Sequence, residues 1–195
     1  MGVSRRTVQR WLHARTGRSV AHIPGRRLDQ LIGLLLPDPD TLAREAQRAV
    51  YATTAIDQIR RDPVLGVKPA WVKQRWLEDH IVAVIDVRVH DQRIRQLVTA
   101  RAETAKIQEI RRRGTILDQA SVATRFHAML LVHQVLTDLA PWRYQASPSQ
   151  VVQGFTQTWL ADAPSTDLAR TLGHIEDQLH PVAPIADAGS DRAGR

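Results

Sequence analysis

The fold class of this chain depends on one stretch, IVAVIDVRV, which spans residues 81–89. Its β-branched residues and an apolar face of alternating positions favour a strand, and that face consists of Ile81, Ala83, Ile85, Val87 and Val89. No second strand is evident in the flanking sequence, and an isolated strand leaves its backbone groups unpaired. We therefore predict a helix at residues 81–89, with a strand as the alternative.

The segments on either side of this stretch read as helices from their apolar spacing and their breakers. The predicted helices span residues 41–61 with Asp40 as the cap, a segment starting at Pro69, 94–113 ending in a left-handed Gly114, 115–139, a segment from Ser147-Pro148 that carries Trp159, and 166–180. The helix over residues 115–139 is the most apolar, so we expect it to be the central core helix, with Phe126 inside. The predicted fold class is all-α.

The domain organisation follows from composition and breakers. We expect a small DNA-binding-type module over residues 1–36, an α-helical bundle domain over 40–180, and a disordered tail over 181–195 that is rich in Ala, Gly, Pro and Asp. The 195 residues include no cysteine, which excludes disulfides, thiolate catalysis and the usual zinc or iron–sulfur sites. No apolar run is long enough for a membrane span, so we expect a cytoplasmic protein with no membrane partner.

Positive charge is concentrated at the beginning of the chain. The first 36 residues hold seven arginines and one acid, a net charge of +6, whereas the formal net charge of the whole chain is +7. The chain uses 24 arginines against 3 lysines, a bias typical of GC-rich genomes such as those of actinobacteria, so arginine abundance alone says little about function. The uneven distribution is typical of a phosphate-binding module attached to a near-neutral body.

The sequence GVSRRTVQRWL at residues 2–12 resembles the second half of a helix-turn-helix. Gly2 suits the turn, and Ser4 caps a recognition helix that we place at residues 4–14. Arginine and glutamine read guanine and adenine edges in the major groove. The predicted DNA-binding residues are Ser4, Arg5, Arg6, Gln9, Arg10, His13, Arg15, Arg18, Arg26 and Arg27.

The residues that follow extend this likeness. Pro24, then Leu28, Leu31, Ile32 and Leu35 are similar to the fourth helix of the lambda-repressor-like family of DNA-binding domains, the Cro and Xre type. The resemblance covers residues 2 to 36 and implies double-stranded DNA as the partner. In that family two further helices precede the turn, so the resemblance also implies an N-terminally truncated module.

No motif in the sequence indicates catalysis or a cofactor. There is no glycine-rich phosphate loop and no nucleophile arrangement, and the closest histidine pairs are six residues apart, unlike the ligand spacing of a helical metal site. The run Arg111-Arg112-Arg113 suits either phosphate binding or the C-terminal end of a helix dipole. Trp71, Trp76, Trp142 and Trp159 are expected in the core or at an interface.

These observations support three functions. The first is a sequence-specific DNA-binding protein, most simply a transcriptional regulator whose helical domain forms a homodimer or senses an effector that the sequence does not identify. The second is a terminal-type DNA-binding protein of a linear replicon, in which a hydroxyl such as that of Tyr51 or Tyr144 primes synthesis. The third is a helical interaction protein that no longer binds DNA. We predict that the protein is not an enzyme and needs no metal or cofactor.

Overall fold

A computed structural model describes residues 36–89, 92–146, 154 and 156–179. The elements are α1 (Pro39–Arg61), α2 (Pro69–Lys73), β1 (His80–Val89), β2 (Gln92–Arg101), α3 (Thr104–Arg113), β3 (Thr115–Val122), α4 (Arg125–Asp138), a 3-10 turn (Ala140–Trp142), β4 (Thr158–Leu160) and α5 (Leu168–Leu179). The four strands form one antiparallel sheet in the order β3-β1-β2-β4. The predicted all-α class is therefore wrong, and the predicted helical body contains a sheet.

The stretch at residues 81–89 belongs to β1, so the strand alternative was correct and the helix prediction wrong. Val82 and Val84 are buried on one face of the sheet, whereas Ala83 and Ile85 are buried on the other. A strand covered on both faces reads as a nearly continuous apolar run, which resembles a buried helix. The missing partner is β2, paired with β1 from His80↔Arg101 to Val89↔Gln92.

Two predicted helices each contain a strand followed by a helix. Residues 94–113 contain most of β2 and then α3, and residues 115–139 contain β3 and then α4. The register between β1 and β3 shifts between Val84 and Ile85, which pair with Asp118 and Ile116. Leu117 is thus left without a partner in a bulge and stays exposed.

Gly114 connects α3 to β3, and its predicted left-handed cap is wrong because its φ is 178°, an extended conformation. Glycine is required there by a close approach. A Cβ at this position would lie 2.4 Å from the carbonyl oxygen of Asp86 in β1. The absence of a side chain therefore lets the connection pass against the sheet.

Three predicted helices are confirmed, although α2 ends at Lys73 and leaves Trp76 and Leu77, which the sequence places on it, outside the helix. They are α1, α2 and α5, and the cap of α1 is Asp38 rather than Asp40. The Asp38 carboxylate accepts a hydrogen bond of 2.7 Å from the backbone N–H of Thr41. Most of the segment predicted from Ser147 as a helix, and the tail over 181–195, lie outside the described residues. Trp159 lies in strand β4, so the helix predicted there is wrong.

Helix α4 packs on one face of the sheet and α1 packs on α4, whereas α3 covers part of the other face through Ile110. Phe126 at the start of α4 is fully buried, as predicted. The rings of Tyr51, Trp71 and Trp76 surround it edge-on at centroid distances of 6.0, 4.8 and 5.7 Å. This aromatic cluster joins α1, α2 and α4, because each of its rings comes from or just after one of these helices. Among the described helices, none has the length and apolar character needed to cross a membrane.

Replacing Phe126 with alanine is expected to lower the free energy of unfolding by about 3–5 kcal/mol, because it leaves a cavity among three rings. The matched control is Leu117→Ala, which removes an exposed side chain in the same sheet and should change stability by less than about 1 kcal/mol. Denaturant titration of both variants measures the difference. Equal losses in the two variants would contradict the assignment of Phe126 to the core.

Candidate functional site

The predicted recognition helix and every predicted DNA-binding residue, from Ser4 to Arg27, lie outside the described residues. The functional geometry that the structure describes therefore belongs to the α/β body. Arginine side chains are grouped at two places in it. One is an open surface at the end of α3, and the other is a cleft between α1, α4 and the sheet.

The surface at the end of α3 contains Arg88, Arg111 and Arg112, all exposed, around a shallow depression of about 820 Å³. These three side chains form no ion pair or hydrogen bond with another described residue. Arg113 differs, because its Nη2 donates to Oε1 of Gln96 at 3.1 Å. The arginine run ends α3, where positive charges stabilise the helix dipole. Arg111 and Arg112 are exposed to solvent, whereas Arg113 is bonded to a side chain of β2.

The cleft has a volume of about 560 Å³ and is lined by charged residues from four elements. Arg48 comes from α1, His80 from β1, Arg101 from β2, and Arg125 from the first position of α4. Arg48 is exposed at the rim, Arg101 and Arg125 are half-buried, and His80 is buried. The topology therefore brings together three arginines and a histidine that are far apart in the sequence.

Arg125 is the least compensated of these cations. Its side chain makes no ion pair or hydrogen bond within the part of the chain that the structure describes. Burial lowers the pKa of Arg125 from its ordinary value, and the nearby charge of Arg48 lowers it further. Arginine stays protonated in proteins despite such a shift, so two guanidinium charges line the same cleft.

The neutral form of His80 is favoured. Its Nδ1 donates a hydrogen bond of 2.7 Å to the backbone carbonyl of Glu78, which leaves Nε2 as an acceptor. Burial lowers the pKa of His80 below 6.5, and the charges of Arg125 and Arg101 lower it further against the opposing effect of Glu78. The imidazole is therefore uncharged at neutral pH and adds no further cation.

The acidic residue in the cleft lining, Glu45, already forms an ion pair with Arg143. Its carboxylate accepts two hydrogen bonds, of 2.7 and 2.9 Å, from the guanidinium of Arg143, and both side chains are nearly buried. Arg143 also donates to the carbonyl of Thr156 at 2.7 Å. A bidentate pair of this kind neutralises Glu45, so the carboxylate does not balance Arg48 or Arg125.

The rest of the cleft wall is part polar and part apolar. The polar residues are Gln74, Thr99, His133 and Gln157, and the apolar part comes from Trp76 and, along α4, from Ala128, Met129, Val132 and Leu136. Volumes of 300–1,000 Å³ with apolar walls and a few placed polar groups are typical of small-molecule sites. The arrangement can bind an anion whose remaining part is apolar.

The two tyrosines proposed to supply a priming hydroxyl both contact core residues. The Tyr51 hydroxyl accepts a hydrogen bond of 2.8 Å from the Trp71 indole nitrogen, and Tyr144 packs against Ile94 and Ala146. Trp71 and Trp159 are buried in the core, as predicted. No group of three or more His, Asp or Glu side chains among the described residues is placed to hold a metal ion.

Sequence reasoning did not find the cleft, since its cations have no common motif and lie at positions 48, 101 and 125. A helical interpretation of residues 94–113 also placed Arg101 on a helix rather than on a sheet. Comparison with known proteins finds no matching protein family, no similar curated protein and no similar solved structure.

The lowered pKa of His80 predicts a pH dependence of stability. The unfolded chain takes up a proton near pH 6.5 while the folded chain does not, so the free energy of unfolding should fall as the pH drops below about 6.5. Urea titrations between pH 7.5 and 5.5 measure this slope while the carboxylates stay ionised. His80→Gln should flatten it, whereas His174→Gln, which replaces an exposed histidine of α5, should not. An unchanged slope in His80→Gln would contradict the assignment.

Proposed function

We propose that the chain is a sequence-specific DNA-binding protein of the cytoplasm, most simply a transcriptional regulator, that contacts double-stranded DNA through its first 36 residues. The observation that carries this proposal is the concentration of charge, a net +6 in residues 1–36 out of +7 in the whole chain. Electrostatic contact with phosphates supplies most non-specific DNA affinity, and such an imbalance is its expected footprint.

The ion pairs of the body support this assignment of charge. Arg75, Arg93, Arg101 and Arg143 each pair with a carboxylate, so part of the body's positive charge is balanced locally. The arginines of the first 36 residues have only Asp29 as an acidic neighbour in sequence. Residues 1–36 are therefore the stretch with the largest uncompensated charge.

The motif at residues 2–12 supports specificity in addition to affinity. Arg5, Arg6 and Gln9 occupy the early positions of the predicted recognition helix, where helix-turn-helix proteins contact base edges. The α/β body takes the place of the helical domain predicted from sequence. In this proposal it forms a homodimer or receives an effector, and a dimer would select a two-fold symmetric DNA site.

Replacing Arg15, Arg18, Arg26 and Arg27 together with alanine is expected to make DNA binding less dependent on salt. Each lost phosphate contact should flatten the slope of log K against log salt concentration by about 0.9, so four contacts give roughly three to four units. The measurement is a fluorescence-anisotropy titration at several salt concentrations. The matched control is Arg61→Ala with Arg170→Ala, which removes two exposed arginines of α1 and α5 and should leave the slope unchanged.

An unchanged slope in the fourfold variant would contradict the proposed location of the DNA contact. A slope that falls instead in an Arg111→Ala and Arg112→Ala variant would place DNA on the end of α3. Both variants are compared with wild type at the same protein concentration, so that dimerisation does not alter the comparison.

Gln9→Ala is expected to relax base preference at one or two adjacent positions while leaving non-specific affinity nearly unchanged, because it removes no charge. A bidentate side-chain contact discriminates between base pairs by about 1–3 kcal/mol. Arg5→Ala should lose both specificity and about one unit of salt slope. Selection from random duplexes, scored position by position, measures the preference. If wild type selects no sequence, the protein is not a regulator, and an interaction protein becomes the better interpretation.

A further inference from the structure

We infer that the cleft between α1, α4 and the sheet is a binding site for a small organic anion, one that joins a carboxylate or phosphate monoester to an apolar group. This inference does not depend on the proposed DNA binding, because no cleft residue belongs to the first 36. It rests on the grouping of Arg48, Arg101 and Arg125 at one place.

The grouping of cations is unfavourable without a negative partner. Like charges brought together in a partly desolvated space repel more strongly than in water. Arg48 and Arg125 are near enough for this repulsion to act on Arg125, and neither forms an ion pair or hydrogen bond with any other described side chain. An anion placed between them would remove the repulsion and gain charge-assisted hydrogen bonds.

The carboxylates near the cleft are engaged elsewhere and do not supply that anion. Glu45 is held by both terminal nitrogens of Arg143. Glu103 lies 2.9 Å from Arg75 and 3.2 Å from Arg101, so it balances part of the Arg101 charge and leaves Arg125 uncompensated. The guanidinium N–H groups of Arg48 and Arg125 are therefore available as hydrogen-bond donors to an anion.

The shape of the cleft selects a small molecule rather than the backbone of a nucleic acid. Exposure decreases from Arg48 at the rim through half-buried Arg125 to His80, which is only 4 % exposed. Phosphate contacts to duplex DNA come from exposed side chains, whereas a cleft of about 560 Å³ can enclose a small ligand.

The apolar part of the cleft wall favours an anion that carries an apolar group. Met129, Val132 and Leu136 line one side along α4, and Trp76 lies at another. An inorganic anion would form ion pairs with the arginines but leave these apolar side chains exposed to water. An aromatic or short aliphatic group would bury it, which adds affinity in proportion to the apolar area covered. The neutral His80 supplies Nε2 as an acceptor for a hydroxyl or a protonated phosphate oxygen.

The test is isothermal titration calorimetry of the full chain with four probes: phenyl phosphate, benzoate, inorganic phosphate and benzyl alcohol. Phenyl phosphate or benzoate should bind at least about tenfold more tightly than inorganic phosphate, and benzyl alcohol should not bind detectably, because it lacks the charge. The stronger of the two aromatic anions identifies the head group. Equal binding of benzyl alcohol, or no binding of either aromatic anion, would overturn the inference.

Variants locate the binding. Arg125→Gln should weaken the binding of the better aromatic anion by about tenfold or more, and Arg48→Gln should weaken it in the same direction from a different helix. Arg170→Gln, on the exposed side of α5, is the matched control and should bind as wild type does. Wild-type affinity in Arg125→Gln would overturn the inference.

Thermal unfolding of the same variants separates a binding role from a structural one. Without ligand, Arg125→Gln should unfold at the wild-type temperature or above, because it removes repulsion and breaks no side-chain bond. With saturating ligand, wild type should gain more in unfolding temperature than the variant. A lower unfolding temperature for ligand-free Arg125→Gln would show that the arginine stabilises the fold, and would count against a site built for an anion.

Discussion

Strand β1 is buried on both faces and hydrogen-bonded along both edges, and the positions of the other elements depend on it. Its even-numbered residues meet α4, its odd-numbered residues meet α3, and its edges pair with β2 and β3. A polar side chain at the fully buried positions 82–85 would lack a partner, which explains why this part of the strand is wholly apolar. The same strand begins at His80, so the packing of the sheet also fixes the inner end of the cleft.

The helices could be predicted where the apolar residues fit helical spacing and do not also fit the alternation of a strand. In α1 and α5 the apolar spacing is helical and the boundaries carry breakers, so their location follows from local sequence. In β2 the local signal is ambiguous, because Ile94, Leu97 and Val98 have helical spacing. Only pairing with β1 selects the strand, and pairing is a tertiary interaction.

The cleft could not be predicted, for a related reason. Arg48, Arg101 and Arg125 have ordinary sequence neighbours, and a chain with 24 arginines offers many such residues. What distinguishes an arginine as a binding-site candidate is the lack of a neighbouring carboxylate in the folded chain. Several described arginines pair with an acid, whereas Arg48 and Arg125 line the same cleft without one, and that placement is visible only in the folded chain. The predicted DNA-binding residues, by contrast, were identified by a local motif and their location in the fold is outside the described residues.

The Glu45–Arg143 pair has a kinetic consequence, because its two residues are 98 positions apart in the chain. The hairpin of β1 and β2 closes a short loop and can form early, whereas this pair must wait until the sheet and α4 have brought the two segments together. Interactions made after the transition state slow unfolding and leave the folding rate nearly unchanged. A pair formed at that late stage would lengthen the lifetime of the folded body without changing how fast the body assembles.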